Sequence, residues 1–535
     1  MSRLERSVSS QAAETPGSVA VVCADERLTY LELDERSNRL ARALRARGFR
    51  PGDRAALLAP KNARAIVSVL GVLKAGGVCV PMDTGSPVER LLSIVRRTGP
   101  CWLLAGDVRT ELLPELLAGV TSDVVTGLCL PEGTYEDAAH RPVVDAAAVA
   151  SASSAPLGPG ADDSAIAYIL FTSGSSGEPK GVSLTHRSIG HFVRWANTHF
   201  GMSADDRVAC HLQLHFDFTL WDVYGALTCG AQLHLVPPAA GLLPSTLADF
   251  LRTSRVTHWN TVPSVLSAMA RYDVLSSRPL PDLRRIVWGG EVFPPRDALH
   301  WQQMLPDAQL TGVYGTTETA IASTYHTLDA APCEKTPLPI GTIIPGESVT
   351  IVDKDLAALP QGAVGEIVIG GTGVGPGYWN DPERTASAFV EFPPGSGHRA
   401  YRTGDLGSQD AHGVFHFHGR ADRQVKVNGY RIELDEVMTA LNTVPGVAAG
   451  VIVAVPGDTG QPRICAAYCL TPGTDLSPVE LQAALAHKVP SYMLPVSWAE
   501  ADPMPVSPNG KIDIRALQGR FAAQEEAGEG DRRDG

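Results

Sequence analysis

Residues 166–170 read Ile-Ala-Tyr-Ile-Leu and run straight into Phe171-Thr-Ser-Gly-Ser-Ser-Gly-Glu-Pro-Lys-Gly-Val-Ser-Leu-Thr-His. A strand that stops at a loop of small residues constrains the fold more than any other stretch. Gly174, Gly177 and Gly181 permit positive φ, so successive backbone N–H groups can curl into a concave anion site. Thr172, Ser173, Ser175 and Ser176 add hydroxyl donors and Lys180 adds charge, so the expected ligand is a polyphosphate. The P-loop pattern of NTPases fails here, because Pro179 precedes Lys180 and Gly181 follows it. A flexible Ser/Gly linker is the plain alternative, but linkers seldom join a strand to an ordered Val-Ser-Leu-Thr-His segment.

The flanking sequence alternates helical and strand patterns. Residues 31–44 carry Leu33, Leu40, Ala43 and Leu44 at helical spacing, with Thr29 as a cap and Gly48 closing the helix. A strand at 55–58, a helix at 65–75 and a strand at 78–81 give a βαβ rhythm, which predicts a doubly wound α/β domain. Residues 148–163 are of low complexity and are expected only to span. A helix at 187–200, a strand at 207–211 and further α/β units follow through residue 313. From 341 to 379 the pattern shifts to short alternating strands at 349–352 and 365–369 with Gly-rich turns, a small β subdomain.

At 535 residues the chain exceeds one core. The expected fold class is α/β, with a large N-terminal domain of doubly wound sheets plus the β subdomain (1–421), a small C-terminal α/β domain (422–521), mobile by the resemblance given below, and an unfolded tail (522–535). A net charge of −13 with interspersed signs argues against a nucleic-acid or anionic-membrane surface. The 9 cysteines show no metal spacing and read as reduced thiols, and the N-terminus lacks an apolar leader, which together predict the cytoplasm.

Further motifs follow in order: Lys74-Ala-Gly-Gly-Val-Cys-Val-Pro-Met-Asp, Phe216-Asp-Phe-Thr-Leu-Trp-Asp, Tyr314-Gly-Thr-Thr-Glu-Thr, Tyr401-Arg-Thr-Gly-Asp-Leu, residues 419–433 and Pro508-Asn-Gly-Lys-Ile-Asp. On these the chain resembles the adenylate-forming superfamily over residues 28–517, in particular the amino-acid adenylation domains of nonribosomal peptide synthetases. The resemblance implies attack of an amino-acid carboxylate on the α-phosphorus of ATP, loss of pyrophosphate, and capture of the aminoacyl adenylate by the phosphopantetheine thiol of a carrier protein. It gives Lys511 the bridging cation, Glu318 the Mg²⁺ ligand, Thr317 a donor to the α-phosphate, Tyr314 the adenine stack, and Asp405 with Arg420 the ribose. Thr316 stands where the family usually has proline, which removes a φ constraint but no functional group. Asp422 matches the hinge about which the C-terminal domain swings, bringing Lys511 for the first step and the loop at 426–429 for the second.

By the same resemblance Asp217 pairs with the substrate α-ammonium, and Phe218, Trp221, Asn260, Val287, Gly289, Val313, Ile321 and Ala322 line the side-chain pocket. Two aromatics leave little volume, Gly289 keeps the floor open, and Asn260 can both donate and accept. A small β-hydroxy L-amino acid follows, threonine first, with alanine or serine the runner-up; Ile321 and Ala322 depart from the threonine pattern, in which valine and histidine are commoner. No carrier segment follows residue 517, so a free-standing enzyme with a carrier acting in trans is expected. An acyl-CoA or aryl-CoA ligase of the same fold is the alternative, and a catalytically silent nucleotide-binding module a third.

Overall fold

The computed structural model describes residues 3–106, 112–137, 139–158, 162–174, 177–457, 461–505 and 512–533, with side chains to Gln524. Ser175, Ser176 and Lys511 lie outside the described residues. The chain divides into two compact units, one of residues 1–84, 94–171 and 181–421, the other of 85–93, 172–180 and 422–535.

The first unit is built on two largely parallel sheets and one antiparallel sheet. In the eight-stranded sheet Val78–Pro81 pairs with both Arg54–Leu58 and Ile166–Thr172, all parallel, as the βαβ rhythm predicts. The nine-stranded sheet carries the parallel series Gln232–Leu235, Arg207–Cys210, His258–Thr261, Arg285–Gly289 and Gln309–Tyr314. The strand interiors are buried, the pattern required when helices cover both faces. The small β subdomain is an antiparallel sheet in which Gly365–Gly371 lies between Glu347–Val352 and Arg399–Gln409.

Local chemistry sets the element ends. Helix Tyr30–Ala46 begins at a reciprocal capping box, Thr29 accepting from the Glu32 amide while the Glu32 carboxylate accepts from Thr29 N–H at 2.8 Å. The low-complexity stretch does more than span. It forms a short helix, Ala146–Ser151, and the next residues are clasped through backbone carbonyls: Asn38 donates to Ser154 at 2.9 Å, and Arg42 to Ala155 and Pro156 at 3.0 and 2.8 Å. Repeated Ala and Ser leave that backbone exposed to long donors on the neighbouring helix, which composition alone does not reveal.

In the second unit, strands Val447–Pro456, Pro462–Leu470 and Ser497–Glu500 form a sheet packed against helices Leu434–Asn442 and Pro478–Ala486. The hairpin Gln424–Val427 with Tyr430–Glu433 turns through Asn428 (φ 52°) and Gly429 (φ 81°), the left-handed pair of a two-residue turn. The segment expected to be an unfolded tail is helical as far as Arg533, within helix Ile514–Arg533. Its Ala, Gln and Glu are good helix formers, and Leu517 and Phe521 anchor the first turns in the core. No helix among the described residues is long and apolar enough to cross a membrane.

Candidate active site

In the first unit strand register gathers several of the residues expected to line a side-chain pocket. Asn260 pairs with Val287, and Gly289 with Val313, at the carboxyl ends of parallel strands, where open α/β sheets bind ligands. Helix Phe218–Cys229 supplies Phe218 and Trp221. A methyl group on Gly289 would stand 3.1 Å from Val313 Cγ2 and 3.8 Å from Phe218 Cε1, so glycine keeps space between those walls. Trp221 is buried, its ring edge-on to Phe192 and His258. Beyond the 3₁₀ turn Thr317–Thr319 the chain reverses through Ala320 (φ 53°) and Ile321 (φ 83°). A Cβ on Gly315 would meet Ala322 Cα at 2.5 Å, so this glycine lets Ile321 and Ala322 fold back over the strand end. Asp217 sits at the N-cap of the pocket helix in helical backbone geometry and its carboxylate caps no amide.

Asn260 differs from expectation. It is 1 % exposed, and both ends of its amide are engaged: Oδ1 accepts from His258 Nε2 at 2.9 Å, and Nδ2 donates to Asp222 at 2.7 Å. This pattern assigns the proton of His258 to Nε2. Burial pushes the His258 imidazole down to about 4, so the ring is neutral near pH 7. The depression sets a sign: the unfolded chain gains this proton near pH 6.5 but the folded chain only near pH 4, so the histidine removes stability as the pH falls between those values. Replacing His258 with Gln should flatten the pH dependence of urea unfolding in that window by about 1.4 kcal/mol per pH unit; equal slopes for parent and variant would contradict it.

Glu318 is fully buried (0 % exposed). Tyr378 Oη donates to its Oε1 at 2.9 Å, and the Tyr378 and Tyr401 hydroxyls lie 3.3 Å apart. A neutral phenol therefore fixes the carboxylate. Among the described residues no group of three or more His, Cys, Asp or Glu is placed to hold a metal. A cation at Glu318 would thus take its other ligands from substrate oxygens and water, which is how Mg²⁺ ordinarily binds, so the donor set fits. Thr316 also matters locally: its N–H donates to Thr319 Oγ1 at 3.3 Å, a bond proline could not make.

Asp405 and Arg420 face each other across strands, and Arg420 donates to Asp405 Oδ1. Tyr314 donates to Asp405 Oδ2 at 2.7 Å, and burial followed by the Asp405 charge pushes the phenol well above its usual range. Both carboxylate oxygens hold a protein donor, and each retains a second lone pair.

In the second unit the loop at 172–180 is held by its own neighbours. Ser173 Oγ donates to the Arg431 carbonyl at 2.6 Å, and Gly174 N–H to Glu436 Oε2 at 3.1 Å, with Glu436 in turn paired to buried Arg90. A carboxylate thus occupies an amide expected to bind phosphate, and a phosphate seated there would have to replace it. Gly177 adopts φ 84° as expected, Lys180 is buried, and the Thr172 hydroxyl is buried without a hydrogen-bond partner among the described residues. Asp422 accepts from Gln424 N–H at 3.2 Å at the start of this unit's main segment.

Sequence reasoning missed Tyr378, Tyr401, Asp222 and His258. Asp222 carried a signal, an acid inside the otherwise apolar run Leu220-Trp-Asp-Val-Tyr. Tyr378 carried none, since only the fold brings it to Glu318, and Tyr401 opens one of the motifs above without its sequence giving it a role there.

The architecture is that of an adenylate-forming ligase. The amide bond synthetase McbA of Marinactinospora thermotolerans shares it with a TM-score of 0.86 and 26 % identity, covering 97 % of this chain and 100 % of that one. The chain belongs to the AMP-binding enzymes, whose family model matches residues 8–379. It is 35 % identical over 526 residues to the L-proline--[L-prolyl-carrier protein] ligase of Streptomyces coelicolor, covering 96 % of this chain and 95 % of the relative. To tyrocidine synthase 3 of Brevibacillus parabrevis it is 34 % identical over 508 residues, 95 % of this chain but 7 % of that protein's length.

Proposed function

We propose that this chain activates a small L-amino acid with ATP, threonine first and alanine or serine next, and passes the aminoacyl group to the phosphopantetheine thiol of a separate carrier protein in the cytoplasm. The observation that carries the reading is Asp217: an acid at the head of the helix that supplies two pocket walls is placed to meet an α-ammonium. The likeness to a prolyl-carrier protein ligase over nearly its whole length supports carrier loading in trans.

On this reading Asp217 anchors the amino acid while Asp405, steadied by Tyr314 and Arg420, holds the ribose, so that the substrate carboxylate attacks the α-phosphorus and pyrophosphate leaves. Mg²⁺ held by Glu318 would supply charge neutralisation on the phosphates. Thr317 donates to the α-phosphate, and the loop residues Thr172, Ser173, Gly174, Ser175, Ser176, Gly177 and Lys180 grip the departing pyrophosphate. Lys511 bridges the two substrates.

Amino-acid-dependent ATP–pyrophosphate exchange over a panel of proteinogenic amino acids tests the reading, with Lys511→Ala as the silent control. Exchange supported by fatty or aryl acids and by no amino acid would sink it in favour of a CoA ligase. The hinge role of Asp422 is read in the same assay. Asp422→Pro should keep exchange near the parent value and lose carrier loading, and equal loss of both would contradict a swing.

A further inference from the structure

Two buried polar valences beside the pocket have no protein partner among the described residues. Asp222 is fully buried; its Oδ1 accepts from Asn260, but Oδ2 receives no hydrogen bond. Asn260 gives one N–H to Asp222 and its oxygen to His258, which leaves its second N–H over. The nearby ammonium cannot serve, because the three N–H groups of Lys61 go to the carbonyls of Cys210, His211 and Leu212. An uncompensated carboxyl at this depth is costly unless something that binds here completes it.

Placement says what completes it. Asp222 lies one turn beyond Phe218 and therefore on the same helix face, and Asn260 is in register with Val287. Both belong to the elements that wall the side-chain pocket. Together they offer an oxygen and an amide N–H side by side. An alkyl side chain answers neither. An ammonium answers the oxygen but not the N–H, and a carboxylate would meet another carboxyl. An alcohol both gives and takes a hydrogen bond, so it answers both.

We infer that Asp222 is a specificity-determining residue, which with Asn260 receives the side-chain hydroxyl of the amino-acid substrate. This rests on the amino-acid adenylating reading above and deepens it by naming the side-chain class. Burial pushes the Asp222 carboxyl well above its usual range, opposed by the Asn260 hydrogen bond and the Lys61 charge, and an alcohol pairs with the carboxyl in either protonation state.

The test is kcat/KM in ATP–pyrophosphate exchange for three pairs that differ in the hydroxyl: L-threonine and L-valine, L-serine and L-2-aminobutyrate, L-homoserine and L-norvaline. The parent should prefer the hydroxy member of at least one pair by about 100-fold or more, as sites that hydrogen-bond a hydroxyl do. Asp222→Leu should cut that ratio by about 100-fold, losing the alcohol and gaining the hydrocarbon. Asp222→Asn, which keeps shape and an acceptor for Asn260, should cut it by about tenfold. Should the leucine variant fail to fold by thermal unfolding, the asparagine variant decides. A parent that prefers the alcohol while both variants keep the ratio within about threefold would overturn the role of Asp222, with water as the group that completes it, and leave the substrate reading standing. A parent that prefers the hydrocarbon in every pair would overturn the hydroxy-acid reading and the inference together.

Discussion

Glu318→Gln is expected to lower amino-acid-dependent ATP–pyrophosphate exchange by on the order of 100- to 1000-fold, the range seen when a preorganised charge-stabilising group is lost. The substitution keeps the shape of a fully buried side chain and leaves an amide oxygen to accept from Tyr378, so what it removes is charge. Tyr378→Phe tests the same site from the other side. It keeps the ring packed on Phe389, at 5.4 Å between centroids, and deletes the hydroxyl that donates to Glu318 and lies 3.3 Å from that of Tyr401. Its effect should be smaller, about tenfold, and should show as a higher Mg²⁺ concentration for half-maximal exchange rather than as lost amino-acid affinity. Direct Mn²⁺ binding in the presence of ATP, followed by electron paramagnetic resonance, gives a readout independent of turnover. A glutamine variant that retains exchange within about threefold and binds Mn²⁺ as the parent does would show that Glu318 is not the metal ligand.

Elements whose residues speak for themselves were legible in the sequence. The strand at 78–81 is observed as Val78–Pro81, and the helix expected at 187–200 as His186–His199, because an apolar period and a cap fix such elements locally. Motif order also carried the family, since the spacing of motifs along a chain survives without knowledge of where each lands. What was not legible depends on partners distant in sequence. Nothing around Ser154 announces that Arg39 and Arg42 lie alongside to bind the carbonyls of Ala152 and Ala155, and nothing in Gly-Tyr-Trp announces a hydrogen bond 60 residues away to Glu318. The tail was misread for another reason: composition favoured disorder, while propensity and two anchoring apolar residues favoured the helix observed to Arg533.

Asn260 shows how a residue can be placed well and still be given too much freedom. Sequence offered an amide with every valence open to a substrate, but in the fold His258 and Asp222 take two of them and orient what remains. The pocket's polarity is therefore a property of a chain of three side chains, and two of them are invisible to any reading that takes pocket positions one at a time.

The other large effect is expected at Asp217. Asp217→Ala should reduce kcat/KM for the preferred amino acid by about 30- to 5000-fold, the loss that follows when one partner of a desolvated charge pair is removed. The argument rests on location: the residue begins the helix that bears Phe218 and Trp221. The informative readout is the ratio between the amino acid and the same acid lacking its α-amino group. If Asp217 meets the ammonium, the parent should favour the amino acid strongly, since the unaminated acid brings no cation to the carboxylate. In the alanine variant the two should approach equality, the amino acid now entering with an uncompensated cation. A variant that loses activity on both compounds in proportion, with their ratio unchanged, would place the ammonium elsewhere and turn the pocket assignment around.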